Sequence, residues 1–284
     1  MITRFAPSPT GPLHLGHVYS ALLAHDMAAA VGGQFLLRIE DIDRSRARQD
    51  WEVQIFEDLH WLGLSWPKPV MRQSDQLARY SESLAWLRSR NHVFSCTCSR
   101  RDVLNSLAAP QEGAEILMGP DGIIYPGTCR NKLTASKNDL LDVALRLSMS
   151  SAVRQNIFSF QETGHGPNGE TGLIEFTAQD AIRDIGDIVL SRRDMGTSYH
   201  LSVVLDDAAQ GITHVVRGED LFEATKIHII LQKLIGLPTP IYHHHNLIRD
   251  DTGKRLAKRD NARAIAKYRA EGVSPNDVRL IVGL

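Results

Sequence analysis

Apolar positions along the chain fall into short runs and long periodic stretches, and the two kinds alternate. Ile2 to Phe5 is a short apolar run, followed by the turn-rich segment Ala6-Pro7-Ser8-Pro9-Thr10-Gly11-Pro12 and then by Val18 to Val31, rich in Ala and Leu. This reads as strand, Gly/Pro turn and helix. Gln34 to Glu40 predicts a buried strand that ends in charge. Arg44 to Leu62 predicts a helix, with Trp51, Ile55, Leu59 and Leu62 on one stripe, and Asp75 to Arg90 predicts another, with Leu77, Tyr80, Leu84 and Leu87. Between Val93 and Gly196 the pattern loosens, with Gly- and Pro-rich stretches at Pro110 to Gly127 and Gly164 to Gly172. It tightens again at Tyr199 to Asp207 and Ile212 to Asp220, read as strands, then a helix (Leu221 to Ile235) and a strand near Pro240 to His244. The alternation predicts a doubly wound α/β fold with a parallel sheet. Residues 1–92 and 197–284 would form its two halves, and 93–196 an inserted module.

Composition narrows this little. The net charge is −1, so any contact with nucleic acid must come from local patches. There is no signal-peptide pattern and no long apolar run, which points to the cytoplasm and away from membranes. The three cysteines include Cys96-Thr-Cys98 and do not look like a secreted disulfide framework. They suit a metal site, with simple burial beside His92 or Asp102 as the alternative.

Chemistry concentrates at His14-Leu15-Gly16-His17, where the first turn meets the first helix. A helix start offers unpaired N–H groups and a positive dipole end to a phosphate. Two imidazoles three residues apart lie on one face and can both donate to one anion, while Gly16 permits close approach. The whole string from Arg4 to His17 resembles the opening of class I glutamyl-tRNA synthetases, whose signature is written HIGH. Arg255-Leu-Ala-Lys-Arg259, following Asp250-Asp-Thr-Gly-Lys254, resembles their second signature, KMSKS, with Arg255 for the first lysine, Ala257 for the first serine and Arg259 at the last position. The resemblance implies a Rossmann-like catalytic domain in which His14, Gly16, His17 and Lys258 bind ATP, and His14, His17 and Lys258 stabilise the reaction with Mg²⁺.

Arg38-Ile-Glu-Asp-Ile-Asp43, Tyr199-His-Leu and Val216-Arg-Gly-Glu-Asp220 also resemble glutamate-specific members, and this implies glutamate contacts from Arg4, Ser8, Glu40, Tyr199 and Arg217. Arginine forks suit carboxylates and Glu40 suits an ammonium. Arg38 and Glu40 share a strand face, so an internal pair competes with that role. Cys96, Cys98, Tyr125 and Cys129 match the spacing of the short relatives, the glutamyl-queuosine tRNA(Asp) synthetases, and imply a structural Zn²⁺ in the inserted, acceptor-type module. Consecutive His243, His244 and His245 on a strand converge poorly on one ion and read as a polar strand end.

Full-length glutamyl-tRNA synthetases grip the anticodon with a long C-terminal helical region, and this chain stops at Leu284. The resemblance therefore implies a chain with no C-terminal anticodon-binding domain, acting as a monomer. It would transfer glutamate from an adenylate to queuosine at the wobble position, with the anticodon stem-loop of tRNA(Asp) as partner. Arg44, Arg46, Arg48, Arg100, Arg101, Arg192 and Arg193 are candidate RNA contacts, and each suits a solvated face equally well. Three alternatives remain open: a compact synthetase charging the tRNA 3′ end, transfer to a small amine or carrier protein, and a catalytically silent RNA-binding paralogue.

Overall fold

The computed structural model describes residues 1–108, 117–130, 143–249 and 263–284. In chain order the elements are β1 (Ile2–Phe5), α1 (Leu15–Ala29), β2 (Gln34–Ile39), α2 (Gln49–Trp61), β3 (Met71–Arg72), α3 (Leu77–Ser89), β4 (Val93–Cys96) and α4 (Arg100–Ala108). Then come β5 (Met118–Gly119), β6 (Gly122–Ile123), β7 (Ala144–Leu147), α5 (Met149–Ala152), β8 (Ile157–Glu162), β9 (Gly172–Thr177), α6 (Ala178–Asp180) and β10 (Val189–Ser191). The chain continues with α7 (Tyr199–Ala209), β11 (His214–Gly218), α8 (Phe222–Ile235), β12 (Ile241–His245), α9 (Ile265–Ala270) and α10 (Pro275–Val282).

Strands β1, β2 and β3 are parallel neighbours, as are β11, β12 and β8, with β9 antiparallel on the outer edge of β8. The two groups meet at a seam, where the Thr213 N–H donates to the Ile2 carbonyl at 3.0 Å and the Ile2 N–H to Thr213 Oγ1 at 2.8 Å. From β1 the chain winds outward through α1 to β2, and from β11 the opposite way through α8 to β12. The strand order reverses at that seam, and in such sheets ligands bind beyond the carboxyl ends of the strands at the reversal.

Residues 93–196 serve three sheets among the described residues, one of them the two-stranded β5–β6 pair. β4, β7 and β10 form an antiparallel sheet of their own, whereas β8 and β9 extend the large one. Tyr199 to Asp207 corrects the reading of that run as a strand, because it is helix α7. Ser198 caps it by accepting the Leu201 N–H, and every residue from His200 to Asp207 is buried. A helix buried all round shows no 3.6-residue stripe, so the run mimics a central strand. The helix expected from Arg44 starts later, at Gln49, since Arg44 to Arg48 turn back on Asp43 and Pro9 through backbone bonds.

Two large apolar clusters hold the fold, with a small third one around Phe94, Val103 and Tyr125. One joins α3, α7 and α8 to the strands around β8, with Phe160, Leu201, Phe222 and Ile229 in it. The other packs α1, α2 and α10 on β1 and β2, through Val18, Leu22, Leu37, Leu59 and Val278. Buried Ala21, Ala24 and Ala28 let α1 lie close to the sheet, and Thr3 Oγ1 donates to the Ala24 carbonyl at 2.7 Å. No helix among the described residues is long and apolar enough to cross a membrane.

Candidate active site

The seam opens at its carboxyl ends into a cleft of about 280 Å³. β1 supplies Arg4 and Phe5, β11 supplies Val216 and Arg217, and β12 supplies His245; His14, Gly16 and His17 at the start of α1 close one side, with Glu40 and Tyr199 opposite. Seven expected site residues, Arg4, His14, Gly16, His17, Glu40, Tyr199 and Arg217, therefore share one cavity.

The helix start is organised by its own imidazoles. The Gly16 N–H donates to Nδ1 of His14, and the His14 N–H donates to Nδ1 of His17, each at 3.2 Å, in a reciprocal cap. Both Nδ1 atoms accept, so each neutral ring carries its proton on Nε2. The rings stack at 3.7 Å. Two like-oriented donors at the positive end of α1 form a site for an anion.

The opposite wall is a buried charge network. Asp207 receives Arg4 (Nε at 3.0 Å, Nη2 at 3.4 Å) and Arg38 (Nη1 at 2.6 Å). Arg38 is completely buried and also donates to Glu40 at 3.1 Å, so the internal pair is present and Glu40 belongs to it while lining the cleft. Burial works to raise the Asp207 pKa, but Arg4 and Arg38 outweigh it and hold the group below the usual carboxylate range. For Glu40 burial prevails over Arg38 and the pKa is raised. Arg4 binds Asp207 through its Nε edge, which leaves the Nη1/Nη2 end for a second carboxylate. Arg217 is more committed. Its Nε donates to His244, Nη1 to His228, and Nη2 to the Leu221 carbonyl and Thr225 Oγ1. Among the described residues that leaves the second Nη1 hydrogen for a ligand, a single contact rather than the fork expected.

His243, His244 and His245 diverge as strand neighbours must. His243 contacts Thr163, His245 meets Ser20 at 2.8 Å in the cleft, and His244 is sealed between Arg217 and Glu162. Gly164 packs so closely there that an added Cβ would lie 2.0 Å from the His244 carbonyl oxygen.

Two expected residues are not in the cavity. Ser8 is exposed and does not line it; only its carbonyl is engaged locally, by the Thr10 N–H. Lys258 lies outside the described residues. The segment that carries it leaves from Leu247 and Ile248 on the cleft wall and returns at Ala264, which bridges to His14, and at Ile265, whose N–H donates to the Leu13 carbonyl. The described residues that flank the signature segment on either side thus lie beside the cavity. The residues that sequence reasoning missed are Asp207, Ser20, Asp220 and the pair His228 and Thr225 behind Arg217. Asp206-Asp207 inside an apolar run was a usable signal, since charges at such positions are buried only when paired.

Cys96, Cys98 and Cys129 bring their sulfurs within 4.8 Å of one another. The Tyr125 hydroxyl sits 3.5 Å from the sulfurs of Cys96 and Cys98, and accepts the Cys129 N–H at 2.8 Å. Four ligands around zinc, with Zn–S near 2.3 Å, stand roughly 3.8 Å apart, so this set has the right spacing. Burial opposes ionisation of Cys129, yet hydrogen bonds from Tyr125, Thr97 and Cys98 bring it down to about 6. Burial pushes the Tyr125 hydroxyl up. Arg146 lies over the Tyr125 ring at 4.0 Å and donates to Cys96 at 3.3 Å. Beside the cluster, a second cleft collects Arg100, Arg146, Arg192 and Arg193. Arg44 and Arg48 line a shallow groove next to Pro9.

A family of tRNA synthetases, class I (E and Q), catalytic domain, matches residues 1–283. A glutamyl-Q tRNA(Asp) synthetase of Rhodobacter capsulatus is 62% identical over 285 residues, covering 100% of both chains. Another, from Nocardia farcinica, is 38% identical and is matched over 97% of this chain and 81% of its own length. Among solved structures, a glutamate tRNA ligase of Elizabethkingia meningosepticum in complex with its amino acid superposes with a TM-score of 0.71 at 26% identity over 92% of this chain. The chain spans about half of that ligase, 52% of its length. A methionyl-tRNA synthetase of Mycobacterium tuberculosis shares the fold at 11% identity, with a TM-score of 0.61.

Proposed function

The chain belongs to the class I tRNA synthetases (E and Q) and, among them, to the glutamyl-Q tRNA(Asp) synthetases, and on that premise we propose that it activates L-glutamate with ATP and transfers it to queuosine at the wobble position of tRNA(Asp). The observation that carries this is the union, in one cleft, of Arg4 and Arg217, whose guanidinium groups suit carboxylates, with the paired imidazoles at the start of α1. The glutamate α-carboxylate attacks the α-phosphorus of ATP, the bond to the β-phosphate oxygen breaks, and pyrophosphate leaves. Nε2–H of His14 and of His17 meets the phosphate charge as it develops, and Lys258 follows the leaving group from the segment between Ile248 and Ala264. A hydroxyl of the cyclopentene-diol then attacks the acyl carbon and AMP departs. ATP brings Mg²⁺ as its counter-ion.

Arg4 receives one glutamate carboxylate, Arg217 adds a single donor, Glu40 faces the ammonium and Tyr199 walls the site. Ser8 contributes only if its loop closes on the ligand. Cys96, Cys98, Cys129 and Tyr125 suit Zn²⁺, which would brace the segment between β4 and β7. The arginine-lined cleft beside them suits an anticodon stem-loop with splayed bases. The chain is read as a monomer, and ATP and tRNA as substrates fit the cytoplasm.

Glutamate-dependent ATP–pyrophosphate exchange without RNA, followed by labelled transfer to tRNA(Asp) with and without queuosine, tests the reading. Label in the anticodon loop only when queuosine is present is the expected result. Label on the 3′-terminal adenosine would replace it with a compact synthetase, and absence of exchange would leave a silent RNA-binding paralogue.

A further inference from the structure

Arginine can only donate, so Arg217 sets the direction of every hydrogen bond that runs from it. Its Nη1 donates to Nδ1 of His228 at 3.2 Å. The proton of His228 is therefore on Nε2, which faces Nδ1 of His200 at 3.1 Å. His200 in turn carries its proton on Nε2, 3.2 Å from Oδ1 of Asp121. A single file of donors thus leads from the wall of the amino-acid cleft to the turn between β5 and β6. His228 does not interrupt it by taking a second proton, because burial, and after it the Arg217 charge, holds its pKa well below the usual histidine range.

The two ends of this file differ in setting. His228 and His200 are buried. The Asp121 side chain is 39% exposed and lines the separate cleft beside the cysteines. Arg217 has a second anchor, through His244 to Glu162, which is fully buried. That anchor holds the guanidinium in the fold whatever happens at Asp121. Nη2 is held as well, by the Leu221 carbonyl and Thr225 Oγ1, and the Nη1 edge, which carries the hydrogen left for a ligand, takes its own partner from His228.

We infer that Asp121 is a positioning residue for the amino-acid site, holding the Nη1 edge of Arg217 in its ligand-binding orientation through His200 and His228. The inference rests on the glutamate-activation reading. Without an acceptor at Asp121, the bond that favours Nε2–H on His200 is lost, and the Nδ1–H form competes, opposed only by the His228 contact. Two N–H groups then face each other across the His200–His228 contact. Reversing His228 merely moves the clash to Arg217, so a ring or the guanidinium must shift.

Asp121→Ala removes the acceptor and Asp121→Asn keeps a carbonyl there. In glutamate-dependent ATP–pyrophosphate exchange, Asp121→Ala should raise the KM for glutamate roughly 5- to 10-fold, the effect of one hydrogen bond, while kcat and the KM for ATP stay within about 2-fold. Asp121→Asn should restore the KM. In ¹⁵N-labelled wild-type protein both His200 and His228 should show the Nε2–H tautomer, and Asp121→Ala should disturb both patterns. An unchanged glutamate KM in Asp121→Ala, an equal defect in Asp121→Asn, or a wild-type His228 protonated on Nδ1 would each overturn the inference. Absence of glutamate-dependent exchange in the wild type would instead overturn the activation reading, with the tautomers still deciding whether the hydrogen-bonded file exists.

Discussion

Asp207→Asn is the sharpest test of how this site is held together. The carboxylate takes two hydrogen bonds from Arg4 and one from the fully buried Arg38, at 3.0, 3.4 and 2.6 Å. Asparagine keeps the shape and one acceptor, but removes the charge and turns an N–H₂ toward a guanidinium. Breaking one partner of a buried ion pair costs roughly 3–5 kcal/mol. Against a total of about 5–15 kcal/mol this is a large fraction. It corresponds to a fall in Tm of roughly 6–20 °C at some 2–4 °C per kcal/mol for a chain of this size. Because Arg38 still has Glu40, the protein should fold at 20 °C, and Arg4, no longer held at its Nε edge, should bind glutamate about tenfold more weakly. The pH dependence has a definite sign. Asp207 has a lowered pKa in the fold, so its stabilisation is complete above the unfolded carboxylate value, near 4, and is lost as pH falls through the lowered one. The variant should therefore lose that acid-side slope. Thermal unfolding between pH 3 and 7 with exchange kinetics at pH 7 reads both effects. Asp26→Asn is the control, since its pair with Arg279 is partly exposed (39% and 29%) and should cost no more than about 1 kcal/mol. A Tm for Asp207→Asn within about 2 °C of wild type, with unchanged glutamate KM, would refute the reasoning.

Other outcomes follow from the same physics. Lys258→Ala should lower kcat for ATP–pyrophosphate exchange about 10²- to 10³-fold with the glutamate KM little changed, the signature of a charge needed only in the transition state; loss of binding instead would contradict that role. Among the described residues neither carboxyl oxygen of buried Asp58 has a hydrogen-bond partner, and burial, only partly offset by Arg269, lifts its pKa to about 6. The native state then binds the extra proton, so stability should fall as pH rises from about 4 to 6, by up to roughly 3 kcal/mol; Asp58→Asn should flatten that part of the profile, checked by urea unfolding across it. Chelation or Cys98→Ser should release about one zinc per chain by metal analysis and lower Tm, while exchange without RNA persists. A catalytic loss matching the metal loss would argue against a bracing role.

Much of the cleft wall was legible in the sequence because it is written locally. The turn from Phe5 to Leu15 and the caps at His14 and His17 involve residues within a few positions of one another, and short-range spacing is what a sequence displays. Arg4, Glu40 and Arg217, and Tyr125 beside the three cysteines, were named through their resemblance to family strings, which are themselves short and local. Ser8 was not borne into the cavity, because a signature string lists neighbours in sequence and does not say which of them turn inward.

Tertiary packing decided the rest. Tyr199 to Asp207 is a helix only because protein surrounds it on all sides, which erases the periodicity by which helices are recognised. Asp207 gains its meaning from Arg4 and Arg38, brought to it across more than 160 residues, and a pairing over such a separation leaves no local trace. The freedom of Arg217 was set likewise by His228, His244 and Thr225, which turned an expected fork into a single donor. Local chemistry named the groups that can meet phosphate and carboxylate; the seam between β1 and β11 determined where they meet, and burial determined which of their hydrogens remain for a ligand.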